Sequence, residues 1–183
     1  EVGREILSQN GNPNIKRITL ELGGKSANVI LNDADIDLAV QQSQIGLFFN
    51  QGQCCIAGSR TYVQSKIYDE FIARTSHATK KRILGDPFHK DTTQGPQVDK
   101  IQQDKIHGYI KTGITEGARV VVGGQQYHGG GYFVNPTVFA DVHEKMTIAK
   151  EEIFGPVMSI LKFDSVEEVI HRANSSHYGL GAG

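Results

Sequence analysis

The chain holds two cysteines, and they stand side by side at Cys54 and Cys55 in the stretch Phe48–Gly58, FFNQGQCCIAG. A thiolate is well suited to attack an electrophilic carbonyl carbon, and a position on a loop lets substrate reach it. Gly52 allows the backbone to approach a ligand closely, while Gln51 and Gln53 keep the surroundings polar. Elsewhere a free cysteine serves as a small buried hydrophobe. Successive side chains point in different directions, so one thiol of the pair can pack while the other faces a cleft. Adjacent cysteines bridge each other only with heavy strain, and two make no disulfide framework, so free thiols in a reducing compartment are expected. A catalytic thiol also needs backbone N–H groups or a helix N-terminus to favour its ionised form.

Acidic residues that could serve such a nucleophile lie on either side of it. Glu21 ends an alternating stretch just before Gly23 and Gly24, where α/β sheets present functional side chains. It would act as a general base if partial burial lifted its pKa toward neutrality, whereas a solvent-facing glutamate paired with Arg17 is the plain structural alternative. Glu151 and Glu152 fall in Lys150–Val157, KEEIFGPV, beside Phe154 and a Gly155-Pro156 turn. One carboxylate there could accept hydrogen bonds from sugar hydroxyls while Phe154 packs on a flat ring; a charged helix end meeting a strand is the simpler reading.

Other candidates carry less. The seven histidines include none paired with another histidine or a cysteine at metal-ligand spacing, so no metal site is expected. Gly23–Ser26, GGKS, fails as a phosphate loop because Thr19 stands where that loop needs its first glycine. Gly179–Gly183, GLGAG, is an isolated glycine run that resembles a dinucleotide loop only in part.

The elements that must position these residues can be read from periodicity. Ile15–Leu22 alternates with Ile18, Leu20 and Leu22 on one face, which predicts a strand. Ala27–Leu31 is a continuous apolar run, expected as a strand covered on both faces, and Asn32–Asp35 supplies a cap for a helix burying Ile36, Ala39 or Val40, Ser43 and Leu47. Beyond the cysteines the pattern predicts a strand at Thr61–Gln64, a helix over about Ile67–Lys81, a loop from Gly85 to Pro96, and a helix over Lys100–Thr112. Strands follow at Arg119–Val122, Tyr132–Val134 and Val157–Phe163, the last apolar enough to be central. Ser165 and Glu168 form a capping box, opening a helix with Val166, Val169, Ile170 and Ala173 on one face. Alternating strands and helices argue for an α/β fold, an open, mostly parallel sheet with helices on both faces.

At 183 residues the chain can bury one ordinary core without staples. Its 19 basic and 20 acidic residues give a net charge of −1, which favours a small-molecule partner over nucleic acid or an anionic membrane. No apolar run approaches the roughly 20 residues of a membrane helix.

Taken together, LELGGKS at Leu20–Ser26, FFNQGQCCIAGSR at Phe48–Arg60 and KEEIFGPV closely resemble the aldehyde dehydrogenase superfamily, in particular its class 1/2 branch. The separations also match, with 55 − 21 = 34 residues from glutamate to cysteine and 152 − 55 = 97 to the second glutamate. The resemblance implies Cys55 as nucleophile, with Cys54 its packing neighbour, and Glu21 as general base. It implies Glu152 and Phe154 as contacts to the ribose and ring of a nicotinamide cofactor, with Gln102, Lys105 and Leu22 nearby. Oxidation of an aldehyde to a carboxylic acid with NAD, or NADP, through a cysteine thioester is the implied reaction. A non-catalytic, crystallin-like use of the fold is the alternative. The resemblance further implies a homotetramer or dimer, a cytoplasmic location with the mitochondrial matrix as alternative, and two domains. Residues 1–22 would end the NAD-binding domain and residues 23–183 would form an incomplete catalytic domain, the rest lying outside this sequence and leaving the isolated fragment inactive.

Overall fold

The computed structural model describes residues 1–11 and 14–183. In chain order its elements are α1 (Val2–Gln9), β1 (Ala27–Ile30), α2 (Ile36–Phe48), β2 (Arg60–Gln64), α3 (Tyr68–Lys80), α4 (Lys100–Thr115), β3 (Arg119–Val122), β4 (Thr137–Ala140), α5 (Thr147–Lys150), β5 (Val157–Phe163) and α6 (Val166–Asn174). The strands form one sheet in the order β1-β2-β5-β4-β3, parallel throughout except for the antiparallel pair β3–β4.

The most apolar strand takes the middle. All of β5 is buried except Lys162, and its alternate residues face opposite ways. Met158 and Ile160 join Val40, Leu47 and Phe48 of α2 and Phe71 and Ile72 of α3 in one core. Val157, Leu161 and Phe163 join Ile106 and Ile110 of α4, Ile148 of α5 and Val169 of α6 in a second. Helices therefore cover both faces of the sheet, as the alternation predicts. Each large side chain so buried contributes about 1.5–3 kcal/mol relative to exposure, and β5 shares that gain between two cores.

Local signals account for the helix starts. The Asp35 carboxylate accepts from the N–H groups of Asp37 and Leu38, and the Ser165–Glu168 capping box closes in both directions. Within α4, Gly108 is exposed and a Cβ there would meet nothing within 4 Å. Gly108→Ala is accordingly expected to stabilise the chain by about 0.5–1 kcal/mol, read as a rise in Tm on thermal unfolding, because it removes backbone freedom from the unfolded state at no steric cost.

Three expectations need correction. Ile15–Leu22 forms no strand: among the described residues no neighbouring strand takes up its backbone groups, and Leu20 and Leu22 pack instead against Gly3 of α1. Tyr132–Val134 is not a strand either, because its carbonyls are taken elsewhere. Those of Tyr132, Phe133 and Val134 accept from the Gln97 N–H and the Gln103 and Gln94 side chains, at 2.9, 2.8 and 2.8 Å, and the ladder begins at Thr137. On α6, Val169 is buried but Val166 and Ile170 are 44% and 57% exposed, so the apolar face is narrower than its spacing suggests.

Candidate active site

The loop bearing the cysteines leaves the C-terminal end of α2 through an unusual turn. Asn50, Gln51 and Gly52 are three consecutive left-handed residues, with φ of 49°, 56° and 73°. Two of them are not glycine, a conformation that costs on the order of 1 kcal/mol or more apiece unless neighbours enforce it. The neighbours are present. The Asn50 side-chain amide donates to the Gln53 carbonyl (2.9 Å), and the Gln53 side-chain oxygen accepts from the Val98 N–H (3.0 Å). A Cβ at Gly52 would lie 2.1 Å from the Gly155 carbonyl oxygen, so this turn is wedged against the backbone that follows Phe154.

A tight turn then separates the thiols. The Ala57 N–H donates to the Cys54 carbonyl (3.1 Å), placing Cys55 and Ile56 at the corners. Cys54 packs its side chain against the core shared by α2 and α3, whereas Cys55 is half-buried and belongs to neither core cluster. No helix begins here: the loop follows the negative end of α2, which leaves backbone N–H groups as the local means of favouring a thiolate.

Gly23 and Gly24 bring the third motif to the cysteine. The Gly24 N–H donates to Glu152 Oε1 (3.2 Å), and a Cβ on Gly24 would sit 2.2 Å from the Cys55 carbonyl oxygen. A Cβ on Gly23 would clash with Glu152 Oε2. The double glycine is thus the contact where the Glu152 carboxylate and the Cys55 backbone meet. Its neighbour Glu151 is drawn away, accepting from the Tyr109 hydroxyl (2.8 Å), which sets the two adjacent glutamates in different surroundings. Phe154, half-buried, is also left-handed (φ 55°) and is braced by the Gln102 side chain, which donates to the carbonyls of Ile153 (3.0 Å) and Phe154 (2.8 Å). Strained backbone thus occurs on both sides of the contact between the cysteine loop and the Glu152–Phe154 turn.

The remaining expected residues are placed less tightly. Glu21 is exposed, so these elements do not supply the partial burial expected of a general base, and Leu22 is 53% exposed beside Gly3. Lys105 is exposed on α4 one turn beyond Gln102, its Nζ 5.9 Å from the centre of the Tyr109 ring. The run Gly179–Gly183 is no dinucleotide loop: Ala182 bridges Ala27, and Gly183 exchanges backbone hydrogen bonds with Ala27 and Val29 along β1. Sequence reasoning missed the braces, Val98 and the carbonyl-directed amide of Gln102; Asn50 before Gln51-Gly52 was the available signal of a left-handed turn.

A family model described as the aldehyde dehydrogenase family matches residues 1–183. The chain belongs to that family. Human mitochondrial aldehyde dehydrogenase is 60% identical over 182 residues, a match covering 100% of this chain and 35% of the relative. Chicken retinal dehydrogenase 2 is 56% identical with the same coverage. Among solved structures, an NAD+ complex of aldehyde dehydrogenase from Bacillus cereus matches with a TM-score of 0.96 at 49% identity, covering 100% of this chain and 37% of that one. The chain spans about a third of the length of these aldehyde dehydrogenase relatives. No helix of the described residues is long and apolar enough to cross a membrane.

Proposed function

We propose that this chain is the cysteine-bearing part of an NAD-dependent enzyme that oxidises an aldehyde to a carboxylic acid. The observation that carries the proposal is the convergence at Gly23–Gly24 of the cysteine loop and the Glu152–Phe154 turn. Cys55, at the corner of its turn and outside both core clusters, attacks the carbonyl carbon to give a thiohemiacetal whose oxyanion is met by backbone N–H groups of the loop. NAD+, when bound, supplies the acceptor for the hydride that leaves that carbon. Glu21 activates the water that hydrolyses the resulting thioester, and its exposure in this chain means that other parts of the full-length protein must enclose it.

The donor set suits the cofactor. Glu152 is half-buried, fixed by one oxygen on the Gly24 N–H, and retains acceptor capacity for ribose hydroxyls. Phe154 offers a ring face, Gln102 braces its backbone, and Lys105 and Leu22 are the further cofactor contacts in this reading. Residues 1–22 belong with the cofactor domain and residues 23–183 with the catalytic domain, and the full-length protein works as a homo-oligomer in the mitochondrial matrix or the cytoplasm. The human relative, a mitochondrial aldehyde dehydrogenase, favours the mitochondrion.

The test is to trap the acyl group. Full-length protein carrying Glu21→Gln, mixed with an aldehyde and NAD+, is expected to release one equivalent of NADH and then stall with a thioester on the Cys55 peptide. Unacylated Cys55 after NADH release would defeat the proposal. Gln102→Ala offers a second test. Losing two donors to the Phe154 turn costs roughly 1.4 kcal/mol, so the KM for NAD+ should rise about 10-fold while kcat stays near the wild-type value.

A further inference from the structure

The cysteine loop and the Phe154 turn are joined in two ways. Directly, the Gly52 backbone lies against that of Gly155, a close approach that limits how near the two segments come and leaves their relative rotation open. Indirectly, both are fastened to the start of α4 by hydrogen bonds, which have a direction as well as a length. On one side the Gln53 side-chain oxygen accepts from the Val98 N–H (3.0 Å). On the other the Gln102 side-chain amide donates to the carbonyls of Ile153 (3.0 Å) and Phe154 (2.8 Å).

The two anchor points are 102 − 98 = 4 residues apart, and Asp99 between them caps the helix, its carboxylate accepting from the Gln102 N–H (2.7 Å). They therefore move as one unit. One turn further on, fully buried Ile106 seats the helix against the same cofactor-side turn, since a Cβ on Gly155 would come within 2.5 Å of its Cδ1. Gln53 stands two positions before Cys55, in a backbone closed on itself by Asn50, whose carbonyl accepts from the Gln53 N–H (3.0 Å) and whose side chain donates to the Gln53 carbonyl (2.9 Å). A pivot of this short unit would carry the Cys55 sulfur with it, and the Gln53 side chain is placed to prevent one.

We propose that Gln53 is a positioning residue for hydride transfer: through Val98 and the first turn of α4 it fixes the angle at which Cys55 faces the nicotinamide held beside Phe154. The inference rests on the function proposed above. In the step concerned, the C–H bond of the Cys55 thiohemiacetal breaks, the hydrogen leaves with its electron pair to NAD+, and the oxyanion re-forms a carbonyl as the thioester. Such a transfer needs reacting atoms aligned at about 3–3.5 Å, and a misplacement of about 1 Å costs roughly 100-fold. Neither attack by the thiol nor binding of the nucleotide makes that demand, so the loss of Gln53 should fall on hydride transfer, the opposite split from that expected for Gln102.

The probe is the full-length Gln53→Met variant, which keeps the length of the side chain while its thioether accepts hydrogen bonds only weakly. Single-turnover NADH formation from propanal should slow by on the order of 10- to 100-fold, and the isotope effect from deuterium at the aldehyde carbon should grow as that step becomes limiting. NAD+ affinity, and the rate at which p-nitrophenyl acetate acylates Cys55 without nucleotide, should each stay within about 3-fold of wild type. Gln53→Glu retains an acceptor for the Val98 N–H and should recover most of the loss once its added charge is corrected for by its own acylation rate. Amide exchange at Val98 should quicken in the nucleotide-free Met variant, a readout that needs no turnover. Gln53→Ser, too short to reach Val98, gives the same contrast if the Met variant fails to fold. Unslowed NADH formation, a Glu variant as slow as the Met variant, acylation falling in step with hydride transfer, or unchanged exchange at Val98 would each overturn the proposal. Wild-type protein that forms no NADH removes the proposed function and this inference together; wild-type turnover beside an unimpaired Met variant removes this inference alone.

Discussion

Cys55→Ala in the full-length protein is expected to lower kcat for aldehyde oxidation by on the order of 10^4-fold or more, because the other thiol of the loop, that of Cys54, is packed against the core. NAD+ affinity should stay close to wild type, since the Glu152 carboxylate is held by the Gly24 N–H, which the substitution does not remove. The informative control is one residue away. Cys54→Ala should keep activity within a few-fold and instead cost about 1 kcal/mol of stability, because the Cys54 sulfur packs against the core of α2 and α3. Steady-state kinetics and thermal unfolding of both variants give the contrast. An inactive Cys54 variant beside an active Cys55 variant would move the nucleophile by one position and overturn the reading of the turn.

Gly52→Ala is the second large effect, and it acts on structure before chemistry. The added Cβ would meet the Gly155 oxygen at 2.1 Å, the Gly155 carbonyl carbon at 2.3 Å and the Pro156 nitrogen at 2.8 Å. All three are backbone atoms, and Pro156 has its own φ fixed by its ring, so no side chain can swing aside. The residue must also hold φ of 73°, which alanine resists. A loss of about 3 kcal/mol or more is expected, with displacement of the Phe154 turn from the cysteine loop. Denaturant unfolding measures the first and NAD+ binding the second; a midpoint indistinguishable from wild type would mean that the turn has another conformation open to it.

The legibility of the fold in its sequence varied with the kind of signal. Val157–Phe163 announced itself as the central strand because burial on both faces demands an unbroken apolar run. The capping box at Ser165 needed only two residues and was realised in full. Ile15–Leu22 misled because alternation states only that a strand can form; hydrogen-bonding partners are a tertiary matter, and among the described residues it has none. Thr137–Ala140 went unnoticed since four residues after a proline carry too little period, although all four are buried. At the site, Cys55 was legible as one of a pair and Glu152 as one of a pair. The resemblance named one member of each pair, and the structure sets the members in different surroundings through a local turn, Cys54–Ala57, and a long-range hydrogen bond, Tyr109–Glu151.

Of the five strands, the central one is synthesised after the other four. Arg60 of β2 pairs with Ser159 of β5, 159 − 60 = 99 residues later, while β1 and β2 already match each other and β3 and β4 form a local pair. At a ribosome adding about 5–20 residues per second, the β1–β2 pair waits roughly 5–20 s with its inner edge open, whereas β4 precedes β5 by only a few seconds. Until β5 slides between them, β2 and β4 present unpaired backbone to whatever else is nearby, a template for strand exchange between nascent chains. Chaperone dependence of newly made protein, and its worsening when translation is slowed between Gln64 and Val157, follow from a sheet that is completed from the inside.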